Sequence, residues 1–301
     1  MMTIGLLASA NLLPGPGKKR DDAFEFDEEL GSLRPGFAQL DMMLEPVLWD
    51  EADRHAERFD AMLPLMVWDY FEGHERRFLD VMTRANEKTR LLNPPDLLRW
   101  NSDKLYLDVM ARRGAKVIPT LRVESVTPED ADAAFARFGT DRIVIKPQVG
   151  GGAWRQALYR QGDPWPAADT LPPEGALIQP FLPSVVEEGE YSFLYFGGRF
   201  SHALVKNAKA GDYRIQSLYG GTETTYTPRP EDIQAADAIL ATLDQTPLYA
   251  RIDLLRGLDG ELALIELEMI EPYLYLPHAN VVDGINQGAL QLGQALKARL
   301  K

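Results

Sequence analysis

No cysteine occurs among the 301 residues. Disulfides, zinc thiolates and thiol nucleophiles are therefore excluded, and composition says nothing of the redox compartment. Positive charge is also scarce, with a formal net charge of −13. That balance argues against nucleic acid as a main partner, because a phosphate backbone needs basic surface. A nucleotide site stays open, since a few local Lys and Arg suffice for one. No apolar run approaches the length needed to cross a bilayer. The opening Met1-Met-Thr-Ile-Gly-Leu-Leu-Ala-Ser-Ala-Asn lacks a basic leader and a long apolar core, so it reads as a first β-strand and not a signal peptide. These absences predict a cytoplasmic protein without a membrane partner. Internal repeats and low-complexity tracts are missing, and no Ser-His-Asp arrangement is evident, so covalent acyl-enzyme chemistry has no support.

What is present belongs to an ordinary globular protein, with 45% hydrophobic and 26% charged residues. The length exceeds what one core usually covers, which predicts two or three subdomains. Residues 3–8 read as a buried strand. A Pro/Gly loop over 11–27 is expected to be mobile, and its Gly17-Lys18 lacks P-loop spacing. A helix over 37–43, strands over 46–49 and 63–68 and a helix over 78–85 predict a small parallel α/β domain at 1–100. A central unit at 101–180 starts with a helix over 105–112 closed by Gly114 and a strand over 116–120. Thr127 then reads as the N-cap, and Pro128 as the first residue, of a helix running to Phe138. The strand 142–147 and the Gly150-Gly-Gly loop follow. Strands over 176–179, 191–196 and 200–205, a helix over 230–243 and a closing helix over 284–300 lead through a last unit at 181–301. The fold class is α/β, with α+β subdomains behind the first.

Arg251-Ile-Asp253-Leu-Leu, a Gly-Leu-Asp-Gly turn and Leu264-Ile-Glu266-Leu-Glu268-Met-Ile-Glu271 predict a β-hairpin. Side chains two apart on a strand share a face, so Glu266 and Glu268 point the same way. A four-residue turn pairs Asp253 with Leu264 and puts Asp253 on that face too. Three carboxylates among Ile and Leu require something cationic between them, and hard oxygen donors of this kind suit Mg²⁺. A solvent-facing strand with an acidic side is the competing assignment.

Ile143-Val-Ile-Lys146-Pro-Gln-Val-Gly150-Gly151-Gly152 sets a Lys at a strand end before three glycines. Such a Lys can meet a phosphate as a point charge, and the glycines let backbone N–H groups approach an anion. Trp68-Asp69-Tyr70 follows a strand and is a candidate to meet a substrate, with packing as its competing role. Tyr273, Tyr275 and His278 are candidates for an acceptor pocket. Arg155 is a candidate for a substrate carboxylate or an exposed loop residue, and His202 is expected to be structural.

From about residue 101 to 272 the chain resembles the ATP-grasp superfamily. The resemblance implies that Lys104 and Lys146 hold ATP phosphates, with Gly150, Gly151 and Gly152 as the phosphate loop. It implies that Gln179, Phe181 and Leu182 border adenine and that Glu190 meets the ribose. Arg214, in Gly211-Asp-Tyr-Arg-Ile-Gln-Ser-Leu-Tyr-Gly-Gly, would stabilise the transferring phosphoryl group, with Lys146 assisting. Asp253 and Glu266 would be metal ligands, joined by Glu268 where many relatives carry Asn. Trp68-Asp-Tyr, Leu92-Asn-Pro, Trp100-Asn-Ser-Asp-Lys104 and Leu267-Glu-Met-Ile-Glu-Pro resemble the glutathione-synthetase-like branch, and within it the group of the cycloserine cyclo-ligase. The implied activity is an ATP- and Mg²⁺-dependent ligase that phosphorylates a carboxylate or carbonyl oxygen of a small amino-acid-like substrate. A C–N bond or a ring would then form. A small-molecule kinase and a nucleotide-binding regulator are the rivals, and a homodimer is one allowed assembly.

Overall fold

The structure is a computed structural model, and it describes all residues except 16, 17, 153, 210, 212, 213 and 216–219. Its first layer is a parallel sheet of β1 (Met2–Ala8), β2 (Met42–Leu48), β3 (Ala61–Met66) and β4 (Arg90–Leu91), in the order β2-β1-β3-β4. Every residue of β3 is buried, as expected of a parallel strand covered on both faces. The helices Phe24–Ala38 and Gln287–Leu300 cover one face. A Cβ on Gly36 would lie 2.9 Å from the Leu290 nitrogen, so only glycine allows the two helices this approach. The helix Glu75–Asn86 packs on the other face.

The predicted helix over 37–43 is not there. The helix is Phe24–Ala38, with Phe26, Leu30, Leu33 and Phe37 buried at helical spacing, and the chain then enters β2. The acids between those apolar positions, with Gly31 and Pro35, hid the pattern. The expected long loop thus ends at residue 23, and its Gly17 lies outside the described residues. Pro46 is tolerated because β2 is an edge strand.

The second sheet is antiparallel, in the order β5-β8-β6-β7, from β5 (Leu121–Val123), β6 (Arg142–Pro147), β7 (Ala157–Arg160) and β8 (Ala176–Pro180). The helix Pro128–Phe138 packs Ala131, Ala134 and Phe135 against Ile143, Ile145 and Ile178. Thr127 caps it in a reciprocal box with Asp130. Residues 116–120 are not the expected strand: Val117 alone bridges to Leu264, because flanking hydrogen bonds lead this segment beside the last sheet.

That last sheet holds β9 (Glu190–Phe196), β10 (Arg199–Asn207), β11 (Thr222–Tyr226), β12 (Tyr249–Arg256) and β13 (Leu262–Glu268), in the order β11-β10-β9-β12-β13. The helix before β12 is Pro230–Leu240, and the closing helix begins at Gln287 with Asn286 as its cap. No helix among the described residues is long and apolar enough to cross a membrane.

His202 on β10 is buried, with Nε2 2.9 Å from the Leu274 carbonyl. Burial pushes its pKa down to about 4. The unfolded chain therefore takes up a proton near pH 6.5 that the folded one refuses until about pH 4. Stability from this group is complete above pH 6.5 and is lost as the pH falls towards 4, on the order of 3 kcal/mol. His202→Gln, which keeps a donor for the carbonyl, is expected to flatten the fall in denaturation midpoint between those pH values. An unchanged slope would assign the acid sensitivity to other groups.

Candidate active site

A cavity of about 250 Å³ is lined by residues of the N-terminal unit and both antiparallel sheets. Its floor is one face of the last sheet. Arg251 pairs across β12 and β13 with Glu268, and Asp253 with Glu266. Ser192 on β9 lies opposite Asp253, and Glu190 opposite Lys206 on β10. The period of two puts all these polar side chains on one face, while the other packs in an apolar core. Asp253 pairs with Glu266 and not, as a four-residue turn predicts, with Leu264. The turn is longer than four residues and a bulge follows Asp253 in the ladder. The two offsets together amount to a two-residue slip, which leaves the facing unchanged.

The cations the hairpin requires are supplied by the chain itself. Lys206 Nζ lies 2.7 Å from Glu190 and 3.3 Å from Asp253. Arg251 Nε donates to Asp253 Oδ2 at 3.0 Å, and its Nη2 donates to Glu268. Lys104 Nζ lies 3.0 Å from Glu266 and also donates to the Gly150 carbonyl. Burial alone would push the Asp253 carboxyl up, but Arg251 and Lys206 outweigh it and hold it below the usual range. Glu266 is likewise held down, by Lys104 and Lys146 against burial. For Glu268 burial wins over Arg251, and the carboxyl is pushed up to about 7. Among the described residues no three Asp, Glu or His side chains are grouped to hold a metal ion. Asp253, only 2% exposed, spends its oxygens on Ser192, Lys206 and Arg251. In this structure it sits between the two cations, on the face that Glu266 and Glu268 share.

Lys146 is carried into the cleft by strand alternation. Ile143 and Ile145 face the helix Pro128–Phe138, whereas Val144 and Lys146 line the cavity. Lys146 is 6% exposed and has no ion pair among the described residues. Burial is the main cause that lowers its pKa. Beyond it stand Gly150, Gly151 and Gly152, whose amides find no hydrogen-bond acceptor among the described residues. A Cβ on Gly150 would meet Pro147 at 2.9 Å, and one on Gly151 would meet Phe71 at 3.1 Å. Past the phosphate-sized end lies an apolar slot of Ile118, Val144, Phe181, Leu182, Val185 and Leu255. Gln179 lines it while donating to Thr120, and the Phe181 amide donates to the Arg142 carbonyl. That amide is therefore in use within the sheet, and the Leu182 carbonyl accepts from the Val185 amide. Arg214 lines the cleft, and residues 212, 213 and 216–219 of its motif lie outside the described residues.

The other candidates divide. Trp68 lines the cleft with its indole N–H on the Glu271 carbonyl, while Asp69 accepts from Ser9 and Trp49, and Tyr70 packs in the core. Arg155 does not line the cleft and instead donates to the Leu171 carbonyl. Tyr273 and Tyr275 line it; His278 bonds to Thr225 on β11. Tyr275 has φ 48°, a left-handed conformation rare for an aromatic residue. Its ring centre lies 5.7 Å from Lys206 and 5.5 Å from Arg251. Lys206, Arg251 and Arg20 were missed from the sequence. Arg251 had a legible signal, since it stands two residues before Asp253 and must share its face. Arg20 lay in the expected loop and gave none.

The cleft fits a nucleotide polyphosphate: a buried ammonium without an ion pair and loop amides without acceptors among the described residues lie in one cavity with an apolar slot. It fits a divalent cation through Glu266 and Glu268, whose side chains remain 28% and 26% exposed. Residues 4–93 match the family model "D-cycloserine synthetase DcsG, N-terminal domain". The cycloserine biosynthesis protein DcsG of Streptomyces lavendulae is 33% identical over 242 residues, 74% of this chain and 78% of that protein. The crystal structure of D-cycloserine synthetase DcsG superposes with a TM-score of 0.83 at 27% identity, covering 99% of this chain and 100% of that one. The ATP-grasp ligase PsnB, solved with its minimal precursor, Mg and ADP, shares the fold at 15% identity, with a TM-score of 0.63 over 99% and 98% of the two chains. The chain belongs to the family of D-cycloserine synthetase DcsG and has the fold of the ATP-grasp ligase PsnB.

Proposed function

We propose that the cleft binds ATP with Mg²⁺ and that the enzyme activates an oxygen of a small amino-acid-like substrate by phosphorylation. The observation that carries this reading is Lys146, a buried ammonium with no ion pair among the described residues and placed before the glycine loop. The substrate carboxylate or carbonyl oxygen attacks the γ-phosphorus, and ADP leaves. An amine then attacks the activated carbon and expels phosphate as the nitrogen gives up a proton. The name of the relative, D-cycloserine synthetase, favours the ring-closing form, in which the substrate carries its own amine.

In this reading Lys104 and Lys146 neutralise the phosphates, and the amides of residues 150–152 hold them in line. Arg214 steadies the phosphoryl group in transfer. Phe181 and Leu182, with Gln179, border the base, and Glu190 stands at the ribose, held by Lys206. Glu266 and Glu268 hold the metal, which when bound supplies charge neutralisation at the phosphates. Asp253 keeps Arg251 and Lys206 in place behind them. Purified protein given ATP, Mg²⁺ and pooled amino acids should release ADP and free phosphate in equal amounts. Phosphate retained on the product would favour a kinase.

The glycine loop makes a second expectation. Lys104 donates to the Gly150 carbonyl, and the Lys104 amide to Gln148, so the loop is tied to the residue proposed to hold phosphate. An ATP analogue with Mg²⁺ should slow hydrogen exchange over residues 148–156, because its oxygens occupy amides that have no acceptor now. Identical exchange in both states would argue against a phosphate cradle.

A further inference from the structure

The charges lining the cleft pair among themselves with two exceptions. Arg20 holds Asp22, Lys206 holds Glu190 and Asp253, Arg251 holds Asp253 and Glu268, and Lys104 holds Glu266. Glu25 and Arg214 also have partners. The two charges without an ion pair or side-chain hydrogen bond among the described residues are Lys146 and Glu271. A lysine and a carboxyl group left without such partners in one cavity call for a ligand that satisfies each. Burial, with Glu268 nearby, raises the Glu271 carboxyl well above its usual range, and a cationic group beside it would oppose that rise. Lys146 is met by phosphate in the reading above. Glu271 has no counterpart in ATP, and it follows β13 on the wall that Trp68 and Tyr273 share.

This wall is fixed. The Trp68 indole donates to the Glu271 carbonyl at 3.1 Å. Arg20 donates to the Trp68 carbonyl at 3.1 Å, and Tyr273 meets the Trp68 ring edge-on at 6.3 Å. Tyr273 is tied through its hydroxyl to Glu28. The Glu271 main chain is thus pinned from the N-terminal unit while its carboxylate lines the cavity. A lone carboxylate does not make a metal site, and no group of three donors includes it among the described residues. A primary ammonium, with three N–H donors and one charge, matches it.

We infer that Glu271 is the residue that recognises the amino group of the substrate. The inference rests on the ligase reading for its substrate and adds the group that selects it. Glu271→Gln preserves shape and imitates a carboxyl that is merely neutral, so it separates a recognition charge from a wall residue. Glu271→Asp keeps the charge on a shorter arm.

The full-length protein and both variants should be titrated with free D- and L-amino acids and with their N-acetylated counterparts, with and without a non-hydrolysable ATP analogue and Mg²⁺. The wild type is expected to bind at least one free amino acid, with acetylation weakening it on the order of 10- to 100-fold. Glu271→Gln should lose affinity for the free amino acid by a similar factor, with Glu271→Asp between. Affinity for the nucleotide analogue should be the same in all three proteins. The inference is overturned if no free amino acid binds, if the acetylated forms bind equally well, or if Glu271→Gln binds like the wild type. Failure of the nucleotide analogue to bind the wild type would instead sink the ATP reading, and the amino-acid titrations without nucleotide would still decide the role of Glu271.

Discussion

Replacing Lys146 by methionine is expected to cut nucleotide-dependent turnover by about 10²- to 10³-fold, the usual loss when a preorganised electrostatic group is removed. The folded protein should be at least as stable as the wild type. Both halves come from one fact: Lys146 is buried without an ion pair among the described residues. Burial disfavours its charged form and lowers its pKa against the opposing pull of Glu266, so the native state bears the cost of a desolvated cation. Methionine fills the volume of the stem without that cost. Activity measured against ATP concentration and thermal denaturation of the same preparation check the pair of outcomes. Loss of stability together with activity would mean that Lys146 is a structural residue. Unchanged activity would make it an idle charge at a strand end.

Asp253→Asn is expected to act in the opposite sense, destabilising the protein by about 3 kcal/mol. The change is nearly isosteric, but it leaves Lys206 and Arg251 buried with less negative charge between them. The loss stays near the low end of the range for broken buried pairs, because Lys206 keeps Glu190 and Arg251 keeps Glu268. The sign with pH follows from the depressed carboxyl. Its contribution is complete above the unfolded value near 3.9 and is lost as the pH falls through the lower folded one. The difference between variant and wild type should therefore shrink in acid. Denaturant unfolding at neutral pH and at about pH 2.5, below the unfolded value, measures it. A variant as stable as the wild type but inactive would return Asp253 to the role of an open metal ligand.

Much of this arrangement can be read from the chain. The helix starting at Thr127-Pro128 and the strand at 142–147 were legible because cap, first-turn proline and alternation all agree locally. The acidic hairpin was legible because a period of two tolerates an even slip in register. The helix Phe24–Ala38 was not, since its buried positions are diluted by acids, and packing against the closing helix stabilises it. The same limit applies to the site. Lys104, Lys146 and the glycine loop announce themselves by type and order. The pairing that makes Asp253 an anchor, and leaves Lys146 and Glu271 unmatched, depends on which strands lie side by side. Lys206 reaches Asp253 only because β9 separates β10 from β12. No local pattern encodes that neighbourhood.

The central claim is that an oxygen of the substrate is phosphorylated on the way to a new C–N bond. Once an amino-acid substrate is in hand, it can be prepared with oxygen-18 at the carboxylate or carbonyl that is activated. Mass analysis of the phosphate released during a single turnover then follows that oxygen directly. The account predicts one labelled oxygen in each phosphate, formed in step with ADP and product. Unlabelled phosphate beside normal product would contradict it.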